Sequence, residues 1–85
     1  MYSRYSYGMK NEYILQKDNI RNLIKLLTMA EGITLTRLKV DINHKYNKTD
    51  SLENLTNKLR NKTIKVTELL EIFDILDYQV LVRKK

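Results

Sequence analysis

Four times along this chain, apolar side chains recur at the spacing of a single helix face. Ile20, Leu23, Ile24 and Leu27 stand at i, i+3, i+4 and i+7. Leu35, Leu38 and Ile42 repeat the pattern, and Leu52, Leu55 and Leu59 repeat it again. Val66, Leu69, Leu70, Ile72, Phe73 and Leu76 form the last and most apolar set. A helix brings residues three and four apart onto one side, so each set is a stripe that must be buried against another. The chain has no proline and only two glycines, Gly8 and Gly32, so little interrupts a helix. The stripes predict four short helices around one core, and 85 residues are enough for one domain.

The polar residues between the stripes mark the helix ends. A short side-chain oxygen can accept from a free N–H of the first turn. On that ground Asp18 or Asn19 is expected to cap the first helix, Thr34 the second, and Asp50 or Ser51 the third. Gly32 is expected to stop the first helix in the left-handed conformation. The second stripe fades into "NHKYNKTD" (43–50), a polar, turn-prone segment that leaves His44 in a solvated loop. "NKT" (61–63) breaks the third helix, and Asp77 and Tyr78 end the fourth. "QVLVR" (79–83) reads as a strand and "NEYILQ" (11–16) as a β-capable run. A lone strand leaves its backbone unpaired, so the two runs are expected to pair with each other, or 79–83 with its copy in a second subunit. Residues 1–17 are read as a tyrosine-rich arm with a short strand, and 18–85 as the helical domain with its terminal strand.

Charge is unevenly spread. The net charge is +6, which favours polyanionic partners. From Ile33 to Lys65 there are eight cations and three acids; from Val66 to Tyr78 there are four acids and no cation. Glu68, Glu71 and Asp74 form the polar side of the last helix and are expected to face water. There is no cysteine and a single histidine, so neither a disulfide nor a metal cage is expected, nor any cofactor. The apolar runs are too short for a membrane span, and "MYSRYSYGMK" has no apolar signal region, which leaves the cytoplasm as the expected compartment. No phosphate loop, nucleophile elbow or HExxH motif is present, so an enzyme is not expected.

Gly32-Ile33-Thr34-Leu35-Thr36-Arg37-Leu38, Leu55-Thr56-Asn57-Lys58-Leu59 and Ile72-Phe73-Asp74-Ile75-Leu76-Asp77-Tyr78 together resemble the lambda-repressor-like (Xre/Cro) helix-turn-helix family, in its small stand-alone phage and mobile-element form. The resemblance covers about residues 19 to 83 and implies a mainly α fold: a four- to five-helix core with a short terminal β-strand pair or intersubunit β element. It implies a sequence-specific, double-stranded DNA-binding repressor that works as a homodimer. Where the family has glutamine after the capping threonine, this chain has Leu35; where it has alanine after the inward leucine, this chain has Lys39. Leu38 and Leu55 lie seventeen residues apart, farther than the family's spacing, so 43–50 is expected to lengthen helix 2 or the turn.

A helix fits the major groove of B-DNA, where asparagine can pair with adenine and hydroxyls can bond several bases. The expected base-reading residues are therefore Ser51, Asn54, Asn57 and Lys58, with Asn57 equally readable as a satisfied interior amide. Arg60, Asn61, Lys62 and Thr63 are expected at phosphates on one side, and Thr34, Thr36 and Arg37 on the other. Tyr2, Arg4, Tyr5 and Tyr7 form a possible partner-binding arm. The alternative is a protein-binding role for the same fold: an antitoxin, or a small phage-encoded inhibitor of a host defence complex such as an RNA-guided nuclease.

Overall fold

The computed structural model describes residues 12–85, and it is built from four helices: α1 (Ile20–Ala30), α2 (Leu35–Tyr46), α3 (Leu52–Asn61) and α4 (Val66–Ile75). The predicted stripes supply the core. Ile24 and Leu38 are fully buried, and Leu27, Ile42, Leu55, Leu59, Ile72 and Phe73 close around them. α2 is the hub: it packs against α1, α3 and α4, while α1 also packs on α3. Leu76 follows α4 into the core, and Tyr46 and Tyr78 pack at its margin.

The helix starts are set locally. Thr34 Oγ1 accepts from the Arg37 N–H at 3.1 Å, and Ser51 Oγ accepts from the Asn54 N–H at 3.1 Å. Both hydroxyls thus satisfy a first-turn donor that has no partner in its own helix. The start of α1 departs from expectation. Asn19 occupies the cap position, but its amide turns back toward the preceding chain. It accepts from the Gln16 N–H at 2.8 Å and donates to the Ile14 carbonyl at 2.9 Å. The side chain serves the approach to the helix instead of its first turn.

The helix ends share one device. After α1, Gly32 takes a positive φ, and the Ile33 N–H reaches back to the Thr28 carbonyl at 3.0 Å. Asn47, Lys62 and Asp77 take the same left-handed conformation after α2, α3 and α4. Each time the next N–H reaches back five residues: Lys48 to Asn43, Thr63 to Lys58, and Tyr78 to Phe73. These bonds satisfy carbonyls left open at each helix end.

Two expectations are corrected. The segment 43–50 is not all turn: α2 continues through Tyr46, so His44 lies on a helix and only 47–51 connects to α3. Among the described residues no strand forms, so 12–16 and 79–83 make no ladder. The two segments do meet at one point, where Tyr13 and Tyr78 stack edge to face with ring centroids 6.2 Å apart. Two aromatic rings thus hold the approach to α1 near the end of α4, without a backbone pairing. The expected arm residues Tyr2, Arg4, Tyr5 and Tyr7 lie outside the described residues.

Candidate functional site

The lysines of α2 and α3 do not form an open basic field. Glu68, Glu71 and Asp74 fall on one side of α4, and each takes a lysine from another segment. Lys58 donates to Glu68 at 2.6 Å, Lys48 to Glu71 at 2.5 Å, and Lys45 to Asp74. The Tyr46 hydroxyl also donates to Asp74. The acidic side of α4 does not simply face water: a ladder of cations pairs with it, burying Glu68 and Glu71 in part and leaving Asp74 exposed. Distance in sequence hid these partners, because the pairs join residues ten to twenty-nine positions apart.

The ladder shifts its own titrations. Partial burial pushes the Glu68 carboxyl up, but the Lys58 ammonium and the Lys65 N–H outweigh it and leave it below the ordinary range. Lys58 is correspondingly raised by its bond to Glu68. Asp74 is lowered by Lys45 and Tyr46, and both of those donors are raised by it.

Three further ion pairs lie outside the ladder. Arg37 meets Asp41 at 3.1 Å, and Lys62 meets Asp18 at 3.1 Å. Lys39 is buried along its stem, and its ammonium reaches Asp50 at 3.8 Å. A long amphipathic side chain can fill an interior gap while its charged end reaches the rim. Beside it, Asn43 donates to the Asp50 carbonyl at 2.7 Å, and its own buried amide oxygen has no protein partner. The five-residue connection after α2 thus closes over a lysine. Of the eight cations between Ile33 and Lys65, only Arg60 and Lys65 have no ion-pair partner among the described residues.

α3 presents a different surface. Leu55 and Leu59 are buried, and Asn54, Asn57 and Asn61 lie across the helix from them at i, i+3 and i+7. Asn54 and Asn61 are exposed and Asn57 is half-buried. The Asn57 amide oxygen accepts from the Arg60 guanidinium, which fixes the orientation of both side chains on the outer face. Ser51 is exposed at the cap, and Glu53 is exposed on the first turn. Lys62 and Thr63 stand exposed after the helix, Lys62 with its left-handed backbone.

The predicted site residues therefore separate. Asn54, Asn57, Asn61 and Arg60 share the outer side of α3. Lys58, expected to read bases, stands on the flank toward α4 with its ammonium on Glu68. Thr34, Thr36 and Arg37 do gather at the start of α2, but Thr34 is committed to its cap and Arg37 to Asp41. Attention to the apolar stripe missed Lys17 and Arg21. Lys17, Arg21, Arg60 and Lys62 line a shallow cleft between the start of α1 and the end of α3, together with Asp18 and Asn22. A signal was available, since Lys17, Arg21 and Lys25 recur every four residues, the spacing of one helix side.

Comparison with protein-family models, with curated protein sequences and with solved structures finds no match. Among the described residues, no helix is long and apolar enough to cross a membrane, and no three His, Asp or Glu side chains gather as metal ligands.

Proposed function

We propose that this protein binds double-stranded DNA through α3 as a sequence-specific regulator of the lambda-repressor-like kind, acting as a homodimeric repressor. The observation that carries the reading is the amide side of α3. Asn54, Asn57 and Asn61 occupy one outward helix face, and Arg60 stands at its edge. An exposed helix face ordinarily gains from alternating acids and bases, whereas amides pair with base edges in the major groove, asparagine with adenine above all. Ser51 and Thr63 flank this face at the two ends of the helix. α2 holds α3 from behind, as a reading helix requires, and the buried Lys39 supports the connection between them.

A titration of duplex from this gene's own upstream region against a scrambled duplex tests the reading. A preference of about a hundredfold or more is expected. Asn54→Ala and Asn57→Ala should erase most of that preference and leave the salt dependence of binding unchanged, because base contacts carry sequence and phosphate contacts carry salt sensitivity. Equal binding to both duplexes, unaltered by either substitution, would refute specific reading by α3.

One observation favours a second reading, a protein-binding inhibitor or antitoxin. The ladder on α4 neutralises Lys45, Lys48 and Lys58, so that side of the molecule offers a mixed-charge surface of the kind proteins present to proteins. Capture of a single protein at unit stoichiometry, with no duplex binding, is the outcome that would select it.

A further inference from the structure

We infer that the cleft between α1 and α3 grips the sugar–phosphate backbone of the duplex, with Lys17 and Arg21 of the α1 side as its principal contacts. The inference rests on the DNA reading above and assigns the phosphate contacts within it.

The argument begins with which cations are available. A phosphate gains little from an ammonium already held by a carboxylate, because a net attraction must first break the existing pair. That consideration weighs most against Lys48 and Lys58, whose pairs on α4 are the more buried, and less against Lys45 and Arg37, whose pairs with Asp74 and Asp41 are more open to water. The start of α2, expected to hold the second strand, offers two hydroxyls and a guanidinium paired with Asp41.

The cleft is different. It collects four cations, Lys17, Arg21, Arg60 and Lys62, against one acid, Asp18. Only Lys62 is paired, with Asp18, and both of those side chains are well exposed, so the pair is weak. Lys17, Arg21 and Arg60 have no ion-pair partner among the described residues. No acid stands in the first turn of α1 to compete for an anion. The cleft also adjoins the reading surface, because Arg60 belongs to both: it lines the cleft and bonds Asn57. A helix in the major groove runs between two phosphate strands, and the groove is about 12 Å wide. Cations on a neighbouring helix, set against the C-terminal end of α3, are then in place to meet one strand.

The test compares two double variants that remove the same charge, one from the cleft and one from the ladder. One is Lys17→Ala with Arg21→Ala; the other is Lys45→Ala with Lys48→Ala. All four side chains lie away from the apolar core, and circular dichroism checks that each variant keeps the helical signal. Affinity for a 20-base-pair duplex is measured by fluorescence anisotropy across a salt series. The cleft variant is expected to bind about tenfold or more weakly at low salt, with the slope of log K against log salt reduced by roughly two. The ladder variant is expected to keep the wild-type slope. If both variants lose affinity and slope equally, only net charge matters and the cleft assignment is overturned, while duplex binding stands. If the cleft variant matches wild type, the assignment is likewise overturned. If the wild-type protein binds no duplex at any salt, the DNA reading fails and the cleft assignment falls with it.

Discussion

The two sides of this molecule use lysine and arginine in opposite ways. On the α2–α4 side, every cation of the ladder is matched to a carboxylate of α4. On the α1–α3 side, Lys17, Arg21 and Arg60 stand together with one acid among them. A count of charges along the chain points to the first region, because the stretch from Ile33 to Lys65 holds eight cations against three acids. The fold inverts that ranking. Net charge reports how much attraction a protein can exert on a polyanion, and the pairing of side chains decides where that attraction is felt.

The comparison can be broken most forcibly at the helix both sides share. Leu38 on α2 is fully buried. Leu38→Ala should destabilise the protein by about 2–5 kcal/mol, read from urea unfolding, because the neighbours cannot close the space fully. If α2 is the hub, both the ladder and the cleft should be lost in a single transition; two separate transitions would show that the sides fold independently.

A smaller effect sharpens the contrast directly. Replacing Glu68 and Glu71 by Gln and Asp74 by Asn frees Lys45, Lys48 and Lys58 and raises the net charge from +6 to +9. Non-specific duplex affinity at low salt should rise about tenfold or more, with a steeper salt dependence. An unchanged affinity would mean that the paired lysines were already acting on DNA. The same variant tests the pH dependence. Glu68 and Asp74 are lowered in the folded state, so their contribution to stability is complete above the unfolded carboxylate range, near pH 4, and is lost as the pH falls through the folded values. Wild-type thermal unfolding should therefore fall off on acidification below about pH 4, and the amide variant should show a flatter profile.

The smallest effect concerns a residue at the edge of the cleft. Lys62 holds a left-handed backbone that costs a side-chain-bearing residue about 1 kcal/mol. Lys62→Gly should relieve that strain and stabilise the fold by about 0.5–1 kcal/mol, offset in part by the freer unfolded chain. Because it also removes a cleft cation, it should weaken duplex binding at the same time. A variant that gains stability and loses affinity together would separate folding from function at one position.

How much of this was legible in the sequence depends on range. The four stripes specify which faces are buried, and Thr34 and Ser51 declare their caps, because those interactions join residues three or four apart. That 43–50 lengthens helix 2 or the turn was legible from the spacing, but the choice between them was not. "NHKY" has weak apolar periodicity, and its helix is secured by Lys45 and Tyr46 reaching Asp74, almost thirty positions away. The ion pair of Lys58 was hidden for the same reason: its position on α3 could be read, its partner on α4 could not. The terminal strand is a different case. Val80, Leu81 and Val82 have the composition of a strand, but a strand also needs a neighbour, and the described chain supplies none. Within the site, the asparagines were visible as outward positions, whereas the cleft required knowing that α1 and α3 lie side by side.

The left-handed stops described above fall at residues 32, 47, 62 and 77, one in every fifteen. The bond that ends each helix joins residues five apart, so these stops can form before distant residues meet. Helical chains dominated by local contacts fold in microseconds to milliseconds. With no proline in the sequence, no slow isomerisation stands in the way. A rapid-mixing experiment should therefore find refolding in one fast phase, which would let a newly made copy reach its working form within moments of leaving the ribosome.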